Sequence, residues 1–170
     1  LEVLEQEMRP ARSGSLASTT SDSVEFSANL HGLSTTVTAT AAVGQTVLSV
    51  DDGRGWDDRK TIVVCWAERC ERLTLVRDGQ RRVLTVMQPL TREIPSGAFV
   101  SLLNHVRYYS RQDERGVLRL LRQVDEGASV LVGDIREARF SYWDENGQVS
   151  IQPALVRLVV IDVMMSGRGI

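Results

Sequence analysis

The sequence predicts an α+β fold that is mostly β, with an N-terminal helical segment packed on an antiparallel sheet. Three observations lead there. Residues 1–12, LEVLEQEMRPAR, place Leu1, Leu4 and Met8 on one helical face, with Glu2, Glu5, Gln6 and Glu7 elsewhere. From Val24 onward nearly every apolar run is short, β-prone and bounded by polar or glycine-bearing turns. Residues 155–165 are apolar on both faces except at Arg157 and Asp162. Such a strand is expected to be central or covered by another layer, which the helix would supply.

The elements follow in order. Pro10 limits the helical segment, and the polar residues 13–23, SGSLASTTSDS, read as a connection. Val24, Phe26 and Ala28 alternate with Glu25, Ser27 and Asn29, as on a strand with one buried face. Residues 35–40 are threonine-rich and β-prone, and 46–50 (TVLSV) form a short strand that Asp51-Asp52-Gly53 ends. Residues 61–66 (TIVVCW) and 71–76 (ERLTLV) suggest a hairpin, and Asp78-Gly79 signals a second turn leading to residues 82–87. A long strand is expected over 98–109 and another over 117–124. Residues 130–136 could be a strand end or a short helical turn; 138–143 (ARFSYW) is a strand with its turn at 144–147, and 155–165 is the final strand.

Composition bounds the function. At 170 residues the chain is long enough for one domain with its own core, and 42% apolar with 25% charged residues is ordinary for a globular protein. A formal net charge of −2 gives no reason to expect a polyanion partner. No run of 18 apolar residues and no signal-peptide core is present. The chain opens at Leu1 inside a helical pattern, so a longer helix is expected ahead of it.

No phosphate-cradling glycine loop, HExxH or GxSxG occurs, and His31 and His105 form no motif with the cysteines. The expectation is therefore no catalytic residue, no metal site and no cofactor. Cys65 and Cys70 enclose Trp66-Ala67-Glu68-Arg69; on a hairpin they face each other and are read as a disulfide, which implies an oxidising compartment. The alternative is a pair of free thiols. Asp51-Asp52-Gly53 and Asp144-Glu145-Asn146-Gly147 fit a calcium loop loosely, and solvated turns are the preferred reading. Arg77, Arg81 and Arg82 cluster at one turn and are the candidate nucleic-acid contact. Arg107, Arg111, Arg115, Arg119 and Arg122, with Tyr108 and Tyr109, could hold a single strand by charge and stacking. Interleaved acids favour an ordinary salt-bridged surface in both places.

Several segments, in order, resemble the heads of minor type IV pilins of the PilW kind and the related J-type minor pseudopilins. Gln6-Glu7-Met8-Arg9-Pro10-Ala11 is similar to the end of their N-terminal helix, and Ser23-Val24-Glu25-Phe26 to the first head strand. Residues 43–50 followed by Gly55-Trp56 resemble an inserted β-module, with its exit at residues 89–100. Val106-Arg107-Tyr108-Tyr109, Gly116-Val117-Leu118-Arg119-Leu120, Leu131-Val132-Gly133-Asp134-Ile135, Phe140-Ser141-Tyr142-Trp143-Asp144 and Arg157-Leu158-Val159-Val160-Ile161 resemble the strands of the closing sheet; the family's tyrosine is absent from the second.

The resemblance implies that residues 1–12 end the pilin helix and 13–170 form the head, with the β-hairpin module inserted at about 43–103. It implies a non-enzymatic structural subunit that helps to initiate, cap or assemble a type IV pilus or secretion pseudopilus. The implied partners are other major and minor pilins, and the inner membrane through a helix ahead of Leu1. The implied location is the bacterial inner membrane and periplasm, then the filament at the cell surface. The alternative is a DNA-binding tip pilin acting in natural transformation.

Overall fold

The computed structural model describes residues 16–166. Among them are eleven strands and no helix. The expected class, a helix packed on a sheet, is thus corrected to an antiparallel β architecture. The apolar spacing from Val24 on has a period of two in most runs, and the backbone satisfies its hydrogen bonds by pairing between strands. The helical segment expected at residues 1–12 lies outside the described residues.

The chain divides into two compact units, one from Asn29 to Asn104 and one from the segments before and after it. The first contains β3 (Ser34–Thr36), β4 (Val47–Ser49), β5 (Thr61–Trp66), β6 (Arg69–Thr74), β7 (Val83–Thr85) and the first half of β8 (Phe99–Gln112). Its pairings run in a circle. β3 pairs with β8, β8 with β5, β5 with β6, and β7 with β4, all antiparallel. Single bridges complete the circuit: Leu75 with Val86 joins β6 to β7, and Val37 with Val50 joins β3 to β4. At the latter joint Thr38 N–H donates to Ser49 O (2.8 Å) and Asp51 N–H to Thr36 O (2.9 Å). The result is a small closed barrel, and closure removes the unpaired edges an open sheet would present.

Alternation fills that barrel. Leu48 and Val50, Ile62 and Val64, Leu73 and Leu75, Leu84 and Val86, and Val100 and Leu102 are buried pairs at i and i+2, one pair for each of five chain passes. Trp56, Leu90 and Ile94 join them from the loops. Each such aliphatic side chain contributes roughly 1.5–3 kcal/mol of transfer free energy.

Loops 51–59 and 77–82 are stitched together at one end of the barrel. Gly79 N–H donates to Trp56 O (2.7 Å), Gly53 N–H to Arg81 O (3.2 Å), and Asp58 N–H to the Asp78 carboxylate (2.9 Å). The approach is so close that a Cβ on Gly79 would lie 2.0 Å from the Gly53 carbonyl oxygen. Asp78-Gly79 thus sits in a longer connection between β6 and β7, where glycine supplies room.

The second unit contains β1 (Leu16–Thr19), β2 (Ser23–Ala28), the rest of β8, β9 (Leu118–Val124), β10 (Gly127–Trp143) and β11 (Leu158–Met165). They lie in the order β1-β2-β8-β9-β10-β11. Val24, Phe26, Val106, Tyr108, Leu120, Phe140 and Tyr142 are buried, and the Phe26 and Tyr108 rings stack with centroids 6.2 Å apart. β1 occupies part of the segment read as a connection. Residues 130–136 are strand, but register shifts between Val130 and Val132, and between Val132 and Ile135, break their alternation. Asp134, at φ 55°, sits inside the second irregularity.

Two hairpin turns share one construction. At Asp113 and again at Asp144, Oδ1 accepts the N–H groups two and four residues on: Arg115 (2.9 Å) and Val117 (3.0 Å), then Asn146 (2.9 Å) and Gln148 (2.8 Å). Gly116 and Gly147, at φ 75° and 71°, take the left-handed position that closes each loop. These contacts hold the Asp113 carboxyl below the usual carboxylate range, the Val117 N–H being the largest cause.

β11 corrects a second expectation. It pairs with β10 and ends the sheet, so it is not central, and although Ile161 is buried, no helix covers it among the described residues. Leu158, Met164 and Met165 are 55%, 51% and 57% exposed.

Candidate functional site

The cysteines lie directly opposite each other on β5 and β6, with Cα atoms 4.1 Å apart, and form a disulfide. The bond staples the hairpin whose tip carries Ala67 at φ 49°, a left-handed conformation that a non-glycine residue adopts at a cost. For so short a loop the cross-link contributes about 2 kcal/mol by the loop-entropy argument. Beside it lies a shallow pocket of about 390 Å3 bounded by Trp66, Arg69, Cys70, Glu71 and Arg92. Glu71 Oε1 accepts the Thr91 hydroxyl at 3.0 Å, while Oε2 is buried without a hydrogen-bond partner.

Arg77, Arg81 and Arg82 are all exposed on the loops at the end of the barrel. Arg77 Nε donates to Thr85 Oγ1 (3.0 Å), while the Arg81 and Arg82 carbonyls accept Gly53 N–H and Val50 N–H. Their charge is offset locally. The Arg54 guanidinium binds Asp52 at 2.6 Å and, with the Arg54 N–H, holds that carboxyl far below its ordinary range; Arg81 adds attraction. Asp58 and Asp78 belong to the same pair of loops. The structure therefore brings these arginines together with carboxylates, and among the described residues they form no bare cationic patch.

The longer arginine series is split by the period of the strands. Tyr108 and Arg122 are opposite each other, and Tyr108 is buried against Phe26, so its ring offers no stacking surface. Arg107, Tyr109 and Arg111 project from the other face of β8; Tyr109 stands opposite Leu121, and Arg111 opposite Arg119. Val130 on β10 stands opposite Leu121, which extends that face by one strand. The Arg107 guanidinium lies 4.7 Å over the Tyr109 ring, and its Nε is 3.1 Å from Glu25 Oε1, close enough for an ion pair though not aligned as a hydrogen bond. Arg119 binds Asp113 Oδ2 at 2.6 Å. This outer face combines cations, an aromatic ring and aliphatic side chains. An open groove lies on this face at the β8–β9 turn.

No protein-family model matches the chain, and no curated protein sequence does so either.

Sequence reasoning did not single out the Tyr142 hydroxyl. It donates to the carbonyls of Thr20 (2.8 Å) and Ser23 (2.5 Å), tying β10 to the β1–β2 turn. Burial pushes its pKa up to about 12, with the Thr20 contact opposing the rise and the Asp22 carboxylate adding to it. The only signal was an aromatic at a buried position of an alternating strand, which does not reveal where a hydroxyl ends. Nor did the sequence indicate that Trp66, Glu71 and Arg92 border one pocket, since the last is brought there from a separate loop.

Proposed function

We propose that the chain is the head of a minor type IV pilin or of a J-type minor pseudopilin, a structural subunit that works by binding other subunits of its filament. One observation carries the reading: the ordered series VRYY, GVLRL, LVGDI, FSYWD and RLVVI runs along β8, β9, β10 and β11, consecutive neighbours in one antiparallel sheet. The disulfide supports it by fitting an extracytoplasmic life. The exposed apolar edge at β11 supports it as well, because a strand with apolar side chains and, among the described residues, no partner on its outer side is suited to association. An interaction role asks for surfaces of this kind. DNA capture through Arg77, Arg81 and Arg82 is the weaker reading, because Asp52, Asp58 and Asp78 in the same loops oppose a polyanion.

The test is made in the cells that encode the protein. Surface filaments sheared from them contain it, or its deletion lowers filament number or secretion, with recovery on complementation. Normal filaments and secretion in the deletion strain, with the protein absent from every pilin complex, contradict the reading.

A further inference from the structure

We propose that the outer face at the β8–β9 turn is a docking groove for an acidic peptide segment of a partner protein, one that places a carboxylate beside an apolar side chain. The groove measures about 620 Å3, and its lining joins Arg111, Arg115 and Arg119 to Leu121 and Val130.

The charge there is unbalanced by design of the register. Arg111 stands directly opposite Arg119 on the neighbouring strand, and like charges so placed repel. Asp113 answers only one of them, through its 2.6 Å contact with Arg119. Arg119 Nε is buried without a hydrogen-bond partner, and the Arg111 and Arg115 guanidiniums form no ion pair among the described residues. A carboxylate held between them would relieve the repulsion and could accept two parallel N–H bonds from a guanidinium fork.

The apolar half defines the neighbouring group. Leu121 and Val130 face each other across β9 and β10, and Val130 is 48% exposed. An aliphatic side chain next to the carboxylate would bury that surface. A dense polyanion fits poorly, because Glu114 lines the same groove and Glu25 already answers Arg107 on the same face. The geometry thus favours one carboxylate with an apolar neighbour over a phosphate chain.

Fluorescence anisotropy with the full chain tests this, using a labelled peptide of alternating glutamate and leucine, its glutamine counterpart and a labelled single-stranded oligonucleotide. The glutamate peptide binds saturably and roughly tenfold or more tighter than the glutamine one, the range expected for charge-assisted hydrogen bonds. The double variant Arg111→Gln, Arg115→Gln, whose altered groups do not hold the Asp113 turn, melts like the parent and loses roughly tenfold in affinity. Leu121→Thr weakens binding independently, and Arg77→Gln leaves it unchanged. Equal binding of the two peptides, no saturable binding at millimolar peptide, unchanged affinity in the double variant, or tighter binding of the oligonucleotide would each overturn the proposal.

Discussion

The unit from Asn29 to Asn104 and the unit that surrounds it in sequence use the same alternation to opposite ends. In the first, six strand passes pair in a circle, so every backbone edge is used and the aliphatic side chains turn into one core. In the second, the strands stop at β11, whose outer edge has no partner strand among the described residues and whose Leu158, Met164 and Met165 meet solvent. Closure uses up the backbone edges, although Val43, Val47, Val76, Met87 and Phe99 still reach solvent on its outside. An open end leaves hydrogen-bonding groups and apolar surface available, which natural sheets hide unless association uses them. The difference sets a closed barrel against a sheet that, among the described residues, ends on an open edge.

The sharpest way to break this contrast is to open the barrel. Gly79→Ala puts a methyl 2.0 Å from the Gly53 carbonyl and about as near to Leu84 and Trp56 as van der Waals contact forbids. Backbone must move, so the expected loss is about 4 kcal/mol or more, at the upper end of single substitutions. Denaturant melts monitored by tryptophan fluorescence read it directly, because Trp56 is buried in that core.

Next in size is a pair of truncations. Leu84→Ala leaves a cavity in the barrel and costs about 2–5 kcal/mol, whereas Leu158→Ala on the exposed edge stays within about 0.5 kcal/mol. Similar losses at both sites would erase the distinction. Reduction of Cys65–Cys70 should lower stability by about 2 kcal/mol, seen as a lower melting midpoint in reductant; a Cys65→Ala, Cys70→Ala variant should melt likewise and ignore reductant.

The smallest effect belongs to the open sheet. Tyr142→Phe removes the hydroxyl from the Thr20 and Ser23 carbonyls and costs about 1 kcal/mol. It also changes the pH profile. The folded phenol titrates at about 12 against an ordinary value of 10.0, so above pH 10 the unfolded chain gives up its proton first. Stability from this group is complete below pH 10 and drains away as pH rises toward 12. Melts across that window should show a steeper decline in the parent than in Tyr142→Phe.

Much of the fold was legible because burial follows a period of two. Val24, Phe26 and Ala28, and likewise Ile62 and Val64, are where alternation puts them. The disulfide was legible because two β-prone runs flank a four-residue gap. Other features depended on long-range partners. β1 is polar enough to pass for a linker, and its strand state comes from pairing with β2. The bulges in β10 hide a strand by breaking its alternation. An apolar strand pattern does not distinguish a covered strand from an exposed edge, which is how β11 came to imply a helical layer that the described chain does not contain. The arginine series was visible, yet its chemistry was not. Only the register shows that Arg111 and Arg119 share a face while Arg122 lies with buried Tyr108. The Gly53–Gly79 approach likewise joins loops far apart in sequence, so neither glycine announces its role alone.

Amide hydrogen exchange tests the contrast most directly. The amides that close the barrel, Thr38, Asp51, Val76 and Met87, each donate to a backbone carbonyl across a joint between strands. They are expected to exchange slowly and together, as one cooperative unit, while the outward amides of β11 exchange fast. If Thr38 and Asp51 exchanged as quickly as the β11 edge, the barrel would be open, and the division between a closed barrel and an open-ended sheet would be wrong.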